Sequence, residues 1–184
     1  MSSPSRLKLF YILHLSKPAA NRLVYREIRR QQPRKILEIG IGAADRAELM
    51  IQLASEFHPA AELHYAGVDP FEGRSEQDGP GLSLREAHCR LKATGAKVQL
   101  VPGAAADGLS RVANMLGKVD LILFSAPSDS EQAARAWFYV PRLLHEQTQV
   151  FLDETRDAGQ EPVIRSVSPS EIRALATVTR RRAA

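Results

Sequence analysis

The chain has 184 residues, of which 44% are hydrophobic and 25% are charged, with 11 glycines and 11 prolines. These are ordinary values for a globular protein, and they exclude a collagen-like or intrinsically disordered chain. The single cysteine, Cys89, excludes an internal disulfide, and no stretch approaches the roughly 20 apolar residues of a membrane-spanning helix. We therefore expect one folded, cytoplasmic domain over residues 1–184.

Arginines near both ends contribute to a net charge of +4 and a pI near 9.5. The two clusters are Arg22, Arg26, Arg29, Arg30 and Arg34, and then Arg173, Arg180, Arg181 and Arg182. Such clusters can meet nucleic acid, but solvated helix faces and a basic tail account for them more simply. The net charge therefore does not identify a binding partner, and it does not favour nucleic acid as one.

Two helices are predicted ahead of any strand, in residues 1–33. Apolar spacing indicates a helix over residues 5–15, and Ser16 is placed to cap a second helix with Pro18 in its first turn. We expect these accessory helices to precede the sheet.

Short apolar runs, typical of buried strands, then alternate with helical patterns. Strands are predicted at 36–39, 63–68, 97–101, 119–124 and 149–152, with a possible sixth at 163–167. Helices are predicted at 47–57, from a capping box of Ser83 and Glu86 to Gly95, at 104–116, from a second box of Ser128 and Glu131 through 144, and from Ser168 onward. Residues 72–81 are predicted to form a loop. This alternation predicts a doubly wound, mostly parallel α/β sheet with helices on both faces.

The turn after the first predicted strand contains two alternate glycines, Gly40 and Gly42, preceded by Glu38. Glycine allows a sharp bend and a close ligand, and the next helix offers free N–H groups to an anion. Asp69 ends the second predicted strand, which lies beside the first in such a sheet, and a carboxylate there can accept hydrogen bonds from ribose hydroxyls. Each feature also has a purely architectural explanation, but together they favour an adenosine-binding site.

Several ordered motifs resemble those of the class I S-adenosylmethionine-dependent methyltransferases, over about residues 34–154. Glu38-Ile-Gly-Ile-Gly42 resembles the first motif of that family, and Gly67-Val-Asp-Pro-Phe71 resembles its ribose-binding strand end. Further similar segments are Val101-Pro-Gly-Ala-Ala105, Val119-Asp-Leu-Ile-Leu-Phe124, Pro141-Arg-Leu-Leu144 and Val150-Phe-Leu-Asp153. Residues 155–184 would then form a shortened C-terminal segment.

The resemblance implies a Rossmann-like fold and S-adenosylmethionine as cofactor. It implies that Gly40, Ile41 and Gly42 face the methionine part with help from Glu38, that Asp69 and Pro70 hold the ribose, that Gly103 and Ala104 border adenine, and that Ser125 lines the mouth of the site. Ser125-Ala-Pro-Ser128 matches neither the signature of amino-methylating nucleic-acid enzymes nor the aspartate of metal-dependent catechol-type enzymes. The expected reaction is therefore methyl transfer to a small molecule at oxygen, with no metal.

No catalytic residue is assigned from the sequence. The five histidines are scattered, and Asp153 with Glu154 lies at the ligand-binding edge without further support. One alternative is a nicotinamide-dependent oxidoreductase, but its fingerprint requires glycine where Asp45 stands. Another is a non-catalytic binding module with the same fold. The acceptor, the oligomeric state and the pathway stay open.

Overall fold

The computed structural model describes residues 6–75, 79–125, 131–154 and 163–182. Six strands form one sheet: β1 Lys35–Ile39, β2 His64–Asp69, β3 Lys97–Pro102, β4 Leu121–Phe124, β5 Gln149–Asp153 and β6 Ile164–Ser166. Their order across the sheet is β3-β2-β1-β4-β5-β6. The pairs from β3 to β5 are parallel, and β6 is antiparallel to β5. This is the predicted Rossmann-like, mostly parallel sheet, and the possible sixth strand is confirmed.

Eight α-helices surround this sheet in the described residues: α1 Arg6–His14, α2 Asn21–Gln31, α3 Asp45–Ala54, α4 Leu84–Lys92, α5 Ala105–Leu116, α6 Glu131–Ala136, α7 Val140–Leu143 and α8 Pro169–Arg182. Short 3-10 turns lie at Ala60–Glu62 and Phe71–Gly73. None of the described helices has the length and apolar character needed to cross a bilayer.

Two hydrophobic clusters cover opposite faces of the sheet. Helices α1 to α4 contribute to one cluster, and α5 to α8 contribute to the other. Successive residues of β1 point to opposite clusters, since Ile36 belongs to the first and Leu37 to the second. All four residues of β4 are buried, as expected for a strand near the centre of the sheet that is covered on both faces.

Ser16 does not cap the second helix, contrary to the sequence prediction. Its hydroxyl donates to the Ile12 carbonyl at 2.6 Å, so it is used by the end of α1. Helix α2 begins only at Asn21, after an Ala20 position that makes no side-chain cap, and Pro18 precedes the helix. The predicted helix was therefore correct, but its start was placed too early.

The single helix expected from Glu131 through residue 144 is also wrong, because it is divided into α6 and α7. Residues 137–139 form a turn between them, and Pro141 lies in the first turn of α7. Proline has no N–H to donate and its ring clashes with the carbonyl four residues earlier, which is that of Trp137. Ser128, the proposed cap of this helix, lies outside the described residues.

The capping box at the start of α4 is confirmed. The Glu86 amide donates to the Ser83 hydroxyl at 3.2 Å, and the Ser83 amide donates to the Glu86 carboxylate at 3.0 Å. The helix ends at Lys92, before the predicted stop at Gly95. At the predicted closing helix, the Glu171 amide donates to the Ser168 hydroxyl at 3.2 Å, which supports the start of α8.

Candidate active site

Three alternate residues of the turn between β1 and α3 have a left-handed backbone conformation. Gly40 and Gly42 have φ angles of 86° and 60°, which glycine adopts without the steric cost of a Cβ. Ala44, two residues further along the turn, also has a positive φ of 63°. An L residue in this region costs about 1–2 kcal/mol. The backbone therefore has the left-handed conformation that glycine favours at all three positions, although alanine occupies the third.

Asp69 at the end of β2 faces this turn and is 1% exposed. Its Oδ2 atom accepts from the Ile41 amide at 2.8 Å and the Gly42 amide at 3.0 Å. Its Oδ1 atom accepts from the Phe71 amide at 2.8 Å. The carboxylate therefore fixes the glycine turn to the end of the neighbouring strand, as the sequence suggested for strands that lie side by side.

Arg74 is the fourth donor to Asp69. Its Nη2 atom donates to Oδ2 of the carboxylate, and the Arg74 side chain is only 13% exposed. Residues 79–82 pack beside it and lie against the glycine turn, because the Leu82 amide donates to the Gly42 carbonyl at 3.2 Å. Asp69 thus holds the turn through main-chain amides and also pairs with a side chain from the segment after β2.

Arg46 forms a second centre of charge at the same edge of the sheet. From the first turn of α3 it reaches the ends of three strands, with Nε 2.8 Å from Glu38 Oε1, Nη2 2.7 Å from Ser125 Oγ and Nη1 3.1 Å from Asp153 Oδ2. It also contacts Asn21 Oδ1 at the start of α2, at 3.5 Å. One guanidinium therefore ties together β1, β4, β5 and the second accessory helix.

Burial dominates the electrostatics around Glu38, which is 0% exposed. Desolvation raises the pKa of Glu38, and the nearby Arg46 and the Tyr65 hydroxyl offset part of that shift. The Tyr65 hydroxyl donates to Glu38 Oε2 at 2.5 Å, while burial raises the pKa of Tyr65 well above its ordinary value. For Arg46, burial lowers the pKa but the Glu38 and Asp153 carboxylates raise it by more. Arg46 is therefore a cation, and its charge offsets part of the effect of burial on Glu38.

The other residues named by the sequence also lie at this carboxyl edge. Pro70 opens the 3-10 turn after β2, and the Gly103 amide donates to the Asp69 carbonyl at 2.9 Å. Ala104 directly precedes α5, and the Ser125 amide donates to the Ile39 carbonyl at 2.7 Å. Gly103 is thus brought beside Asp69, whereas Ser125 and Glu38 are joined through Arg46.

Both carboxylates considered as bases are ion-paired. Asp153 contacts Arg46, and Glu154 accepts from Arg165 Nε at 2.7 Å. Arg165 also bonds Glu171 on α8 at 2.6 Å. The structure therefore adds no catalytic assignment to the one left open by the sequence.

Sequence reasoning missed both arginines. A signal existed for Arg46, because a cation in the first turn of a helix is disfavoured by the helix dipole and so implies nearby acids. Arg74 lies in a polar segment where an arginine is unremarkable, and nothing in the sequence connects it to Asp69. Its role depends on how residues 79–82 fold back over the turn.

No protein-family model and no curated protein matches the sequence. Solved structures do match. The O-methyltransferase from Bacillus cereus in complex with SAH is similar with a TM-score of 0.57 and 15% identity, over 95% of this chain and 79% of that one. The O-methyltransferase TomG from Streptomyces achromogenes, involved in tomaymycin synthesis and solved with SAM, gives 0.55 and 17%, over 97% and 78%.

A methyltransferase from Geobacter sulfurreducens gives a TM-score of 0.52 and 16% identity, over 74% of this chain. The match spans 60% of that protein, which is less than two thirds of its length. At such identities the likeness concerns the fold. The chain has the Rossmann-like fold of these methyltransferases, as its sequence motifs predicted.

Proposed function

We propose that the chain binds S-adenosylmethionine at the carboxyl edge of its sheet and transfers the methyl group to a small-molecule acceptor at oxygen. The observation that carries this proposal is the contact of Asp69 with the Ile41 and Gly42 amides. It places a buried carboxylate directly beside a glycine turn, at the edge where α/β sheets bind ligands.

The main chain around the turn fits an adenosine-containing cofactor. A Cβ atom built on Gly42 would meet no heavy atom closer than 3.8 Å among those surrounding it. Asp69 would hold the ribose with Pro70 beside it, and Gly103 and Ala104 would border adenine. Gly40, Ile41 and Gly42 would face the methionine part, with Glu38 and Ser125 at its far end. A ribose hydroxyl at Oδ2 of Asp69 would displace the guanidinium of Arg74, which bonds that oxygen.

The chemistry that the cofactor supplies is a methyl group already activated by the sulfonium. The residues of the chain would mainly align the acceptor oxygen with it, and alignment alone can account for several kcal/mol of a barrier. Arg46 supports this role, because it links the ends of β1, β4 and β5 to Asn21 on α2. In this proposal the accessory helices would form part of the acceptor pocket. No residue is assigned as a base.

The similar solved structures include O-methyltransferases, which supports oxygen as the accepting atom. The sequence after β4 supports the same choice by lacking the signature of amino-methylating nucleic-acid enzymes. The nicotinamide alternative gains nothing, because Asp45 is paired with Arg90 at 2.7 Å beside the turn, where a pyrophosphate would need a glycine instead.

A non-catalytic binding module is the second candidate, and one observation favours it. Arg46 bonds Glu38, Ser125 and Asp153 at once, so three polar groups expected near a reaction centre are satisfied within the protein. Such an arrangement can serve architecture without turnover. Cofactor binding with no product across a panel of hydroxylated acceptors would support this candidate.

Calorimetric titration with S-adenosylmethionine and S-adenosylhomocysteine tests the first proposal, with NAD as the negative control. We expect both sulfur compounds to bind and NAD not to bind. Asp69→Ala should weaken binding at least about tenfold, because charge-assisted bonds contribute about 1.5–3 kcal/mol each. Asp69→Asn, which keeps an acceptor for the turn amides, controls for damage to the turn. Failure of both compounds to bind the folded wild-type chain would refute the proposal.

A further inference from the structure

We propose that Arg74 competes with the ribose hydroxyls for Asp69, so that this arginine sets the affinity of the site for adenosine-containing ligands. The inference rests on the proposed function and adds a residue that determines affinity. It begins with the bonding capacity of Asp69. An ionised carboxylate has about four acceptor positions. Asp69 already accepts from the Ile41, Gly42 and Phe71 amides and from Arg74.

Three of these four donors belong to the main chain. The Ile41 and Gly42 amides are fixed by the turn, and the Phe71 amide is fixed by the start of the 3-10 turn that follows β2. The guanidinium of Arg74 alone among the four can leave by rotation about side-chain bonds. Oδ2 already accepts from three donors, whereas Oδ1 accepts from the Phe71 amide alone, so a ribose hydroxyl that bonds Oδ2 must take the place of Arg74.

The position of the Arg74 guanidinium depends on the absence of a side chain at Gly81. A Cβ atom built on Gly81 would lie 2.1 Å from Nε and 2.6 Å from Cζ of Arg74, so the guanidinium packs directly on the glycine backbone. Glu72, two residues before Arg74, is tied to the start of α4, since its carboxylate accepts from the Leu84 amide at 3.0 Å. A side chain at position 81 would thus displace the Arg74 guanidinium from Asp69 without removing its charge.

This packing yields two variants that act on the same bond by different routes. Arg74→Met removes the guanidinium and keeps the apolar stem. Gly81→Ala keeps the arginine but places a methyl group where its guanidinium lies. If Arg74 competes with ribose, both changes should strengthen binding of adenosine and S-adenosylhomocysteine, by at least about tenfold for the loss of one charge-assisted bond.

The experiment is calorimetric titration of the full chain with adenosine, S-adenosylhomocysteine and 2′,3′-dideoxyadenosine. Arg135→Met serves as the matched control, because Arg135 makes an exposed ion pair with Glu131 on α6 at 2.7 Å. Circular dichroism establishes that each variant is folded. We expect Arg74→Met and Gly81→Ala to bind the two ribose ligands more tightly, with dideoxyadenosine binding unchanged and Arg135→Met like the wild type.

Wild-type binding with equal or weaker binding by both variants would overturn the competition and leave the proposed function intact. A gain that extends equally to dideoxyadenosine would also overturn it, because the ribose hydroxyls would then have no part in the effect. Absence of binding by every folded variant would instead refute the proposed function, and the proposed competition between Arg74 and ribose would be refuted as well. The two failures are therefore distinguishable.

Discussion

Arg46 is a cation placed in the first turn of a helix, where the helix dipole opposes positive charge. Its side chain is 15% exposed, and its partners Glu38 and Asp153 are 0% and 14% exposed. These two carboxylates compensate the charge, and Arg46 in turn compensates theirs. Removal of the guanidinium would leave the buried carboxyl of Glu38 without the cation that offsets its desolvation.

We predict that Arg46→Met lowers the free energy of unfolding by about 3–5 kcal/mol at pH 7, because it leaves a buried charge unpaired. Urea denaturation followed by circular dichroism measures the loss. The double variant Arg46→Met with Glu38→Gln should recover part of it, since no unpaired charge then remains at position 38.

The matched control is Arg90→Met. Arg90 also pairs with two acids on α3, Asp45 and Glu48, but its side chain is 36% exposed and water screens the pairs. We expect a loss of about 1 kcal/mol or less from this change. Equal losses from the two single variants would contradict the interpretation of Arg46 as the buried charge centre.

The contrast between Asp69 and the two arginines shows what a sequence reveals at single positions. Asp69 was predictable, because a carboxylate at the end of the second strand must lie beside the turn after the first in a doubly wound sheet. The partners of Arg46 lie up to 107 positions away in the chain, so they become neighbours only through the order of strands β1, β4 and β5. The spacing of residues along the sequence does not reveal contacts between such distant positions.

Close packing of α5 on β2 depends on one glycine. A Cβ atom on Gly108 would lie 2.2 Å from Cγ1 of Val68, which is a buried β-branched side chain with little freedom to move. The helix can therefore approach the strand only because position 108 lacks a side chain. This contact also fixes the strand whose last residue is Asp69.

We predict that Gly108→Ala lowers the free energy of unfolding by about 1–3 kcal/mol, because it overpacks this contact. Gly73→Ala is the matched control, since a Cβ at that glycine would meet no atom within 4 Å. Thermal unfolding of both variants measures the difference. A Gly108→Ala variant as stable as the Gly73→Ala control would contradict the packing argument.

The strands were predictable to within two residues at either end, because each is a short apolar run bounded by polar or turn residues. The helices were less predictable than the strands. The apolar spacing from Glu131 to residue 144 is helical, yet Pro141 interrupts the helix. Apolar periodicity alone does not take into account that proline lacks the N–H that a continuous helix needs. The antiparallel direction of β6 could not be read from three residues, since direction is set by the connection that precedes a strand.

The molecule has two apolar cores that share one sheet. Leu53 on α3 belongs to the core beneath α1 to α4, and Leu109 on α5 belongs to the core beneath α5 to α8, and both are 0% exposed. Trp137, the single tryptophan, lies in the second core and stacks on Phe124 with ring centroids 4.8 Å apart. Its fluorescence therefore reports one face of the sheet.

We predict that Leu53→Ala and Leu109→Ala each lower the free energy of unfolding by about 2–5 kcal/mol and that the two losses add within about 0.5 kcal/mol. The sheet should couple the cores into one transition, so tryptophan fluorescence and far-ultraviolet circular dichroism should give the same midpoint for Leu53→Ala. A midpoint by fluorescence that stays at the wild-type value would contradict a single cooperative unit.

This layering also places helices α2 and α8 on different faces of the sheet. Helix α2, with Arg22, Arg26, Arg29 and Arg30, packs on one face of the sheet, and α8 packs on the other. Arg22, Arg26, Arg29 and Arg30 are therefore carried by a helix on the face of the sheet opposite to α8.

The two outer strands also determine how the molecule behaves among its own copies. An exposed strand edge can template the pairing of another chain, and proteins prevent this with short edge strands, charge and proline. On one rim, β3 begins with exposed Lys97 and ends with Pro102, which has no N–H to offer. On the other rim, β6 is three residues long, and its central Arg165 is bonded to Glu154 and Glu171. Growth of fibrils by strand addition is therefore disfavoured at both rims, even in concentrated samples.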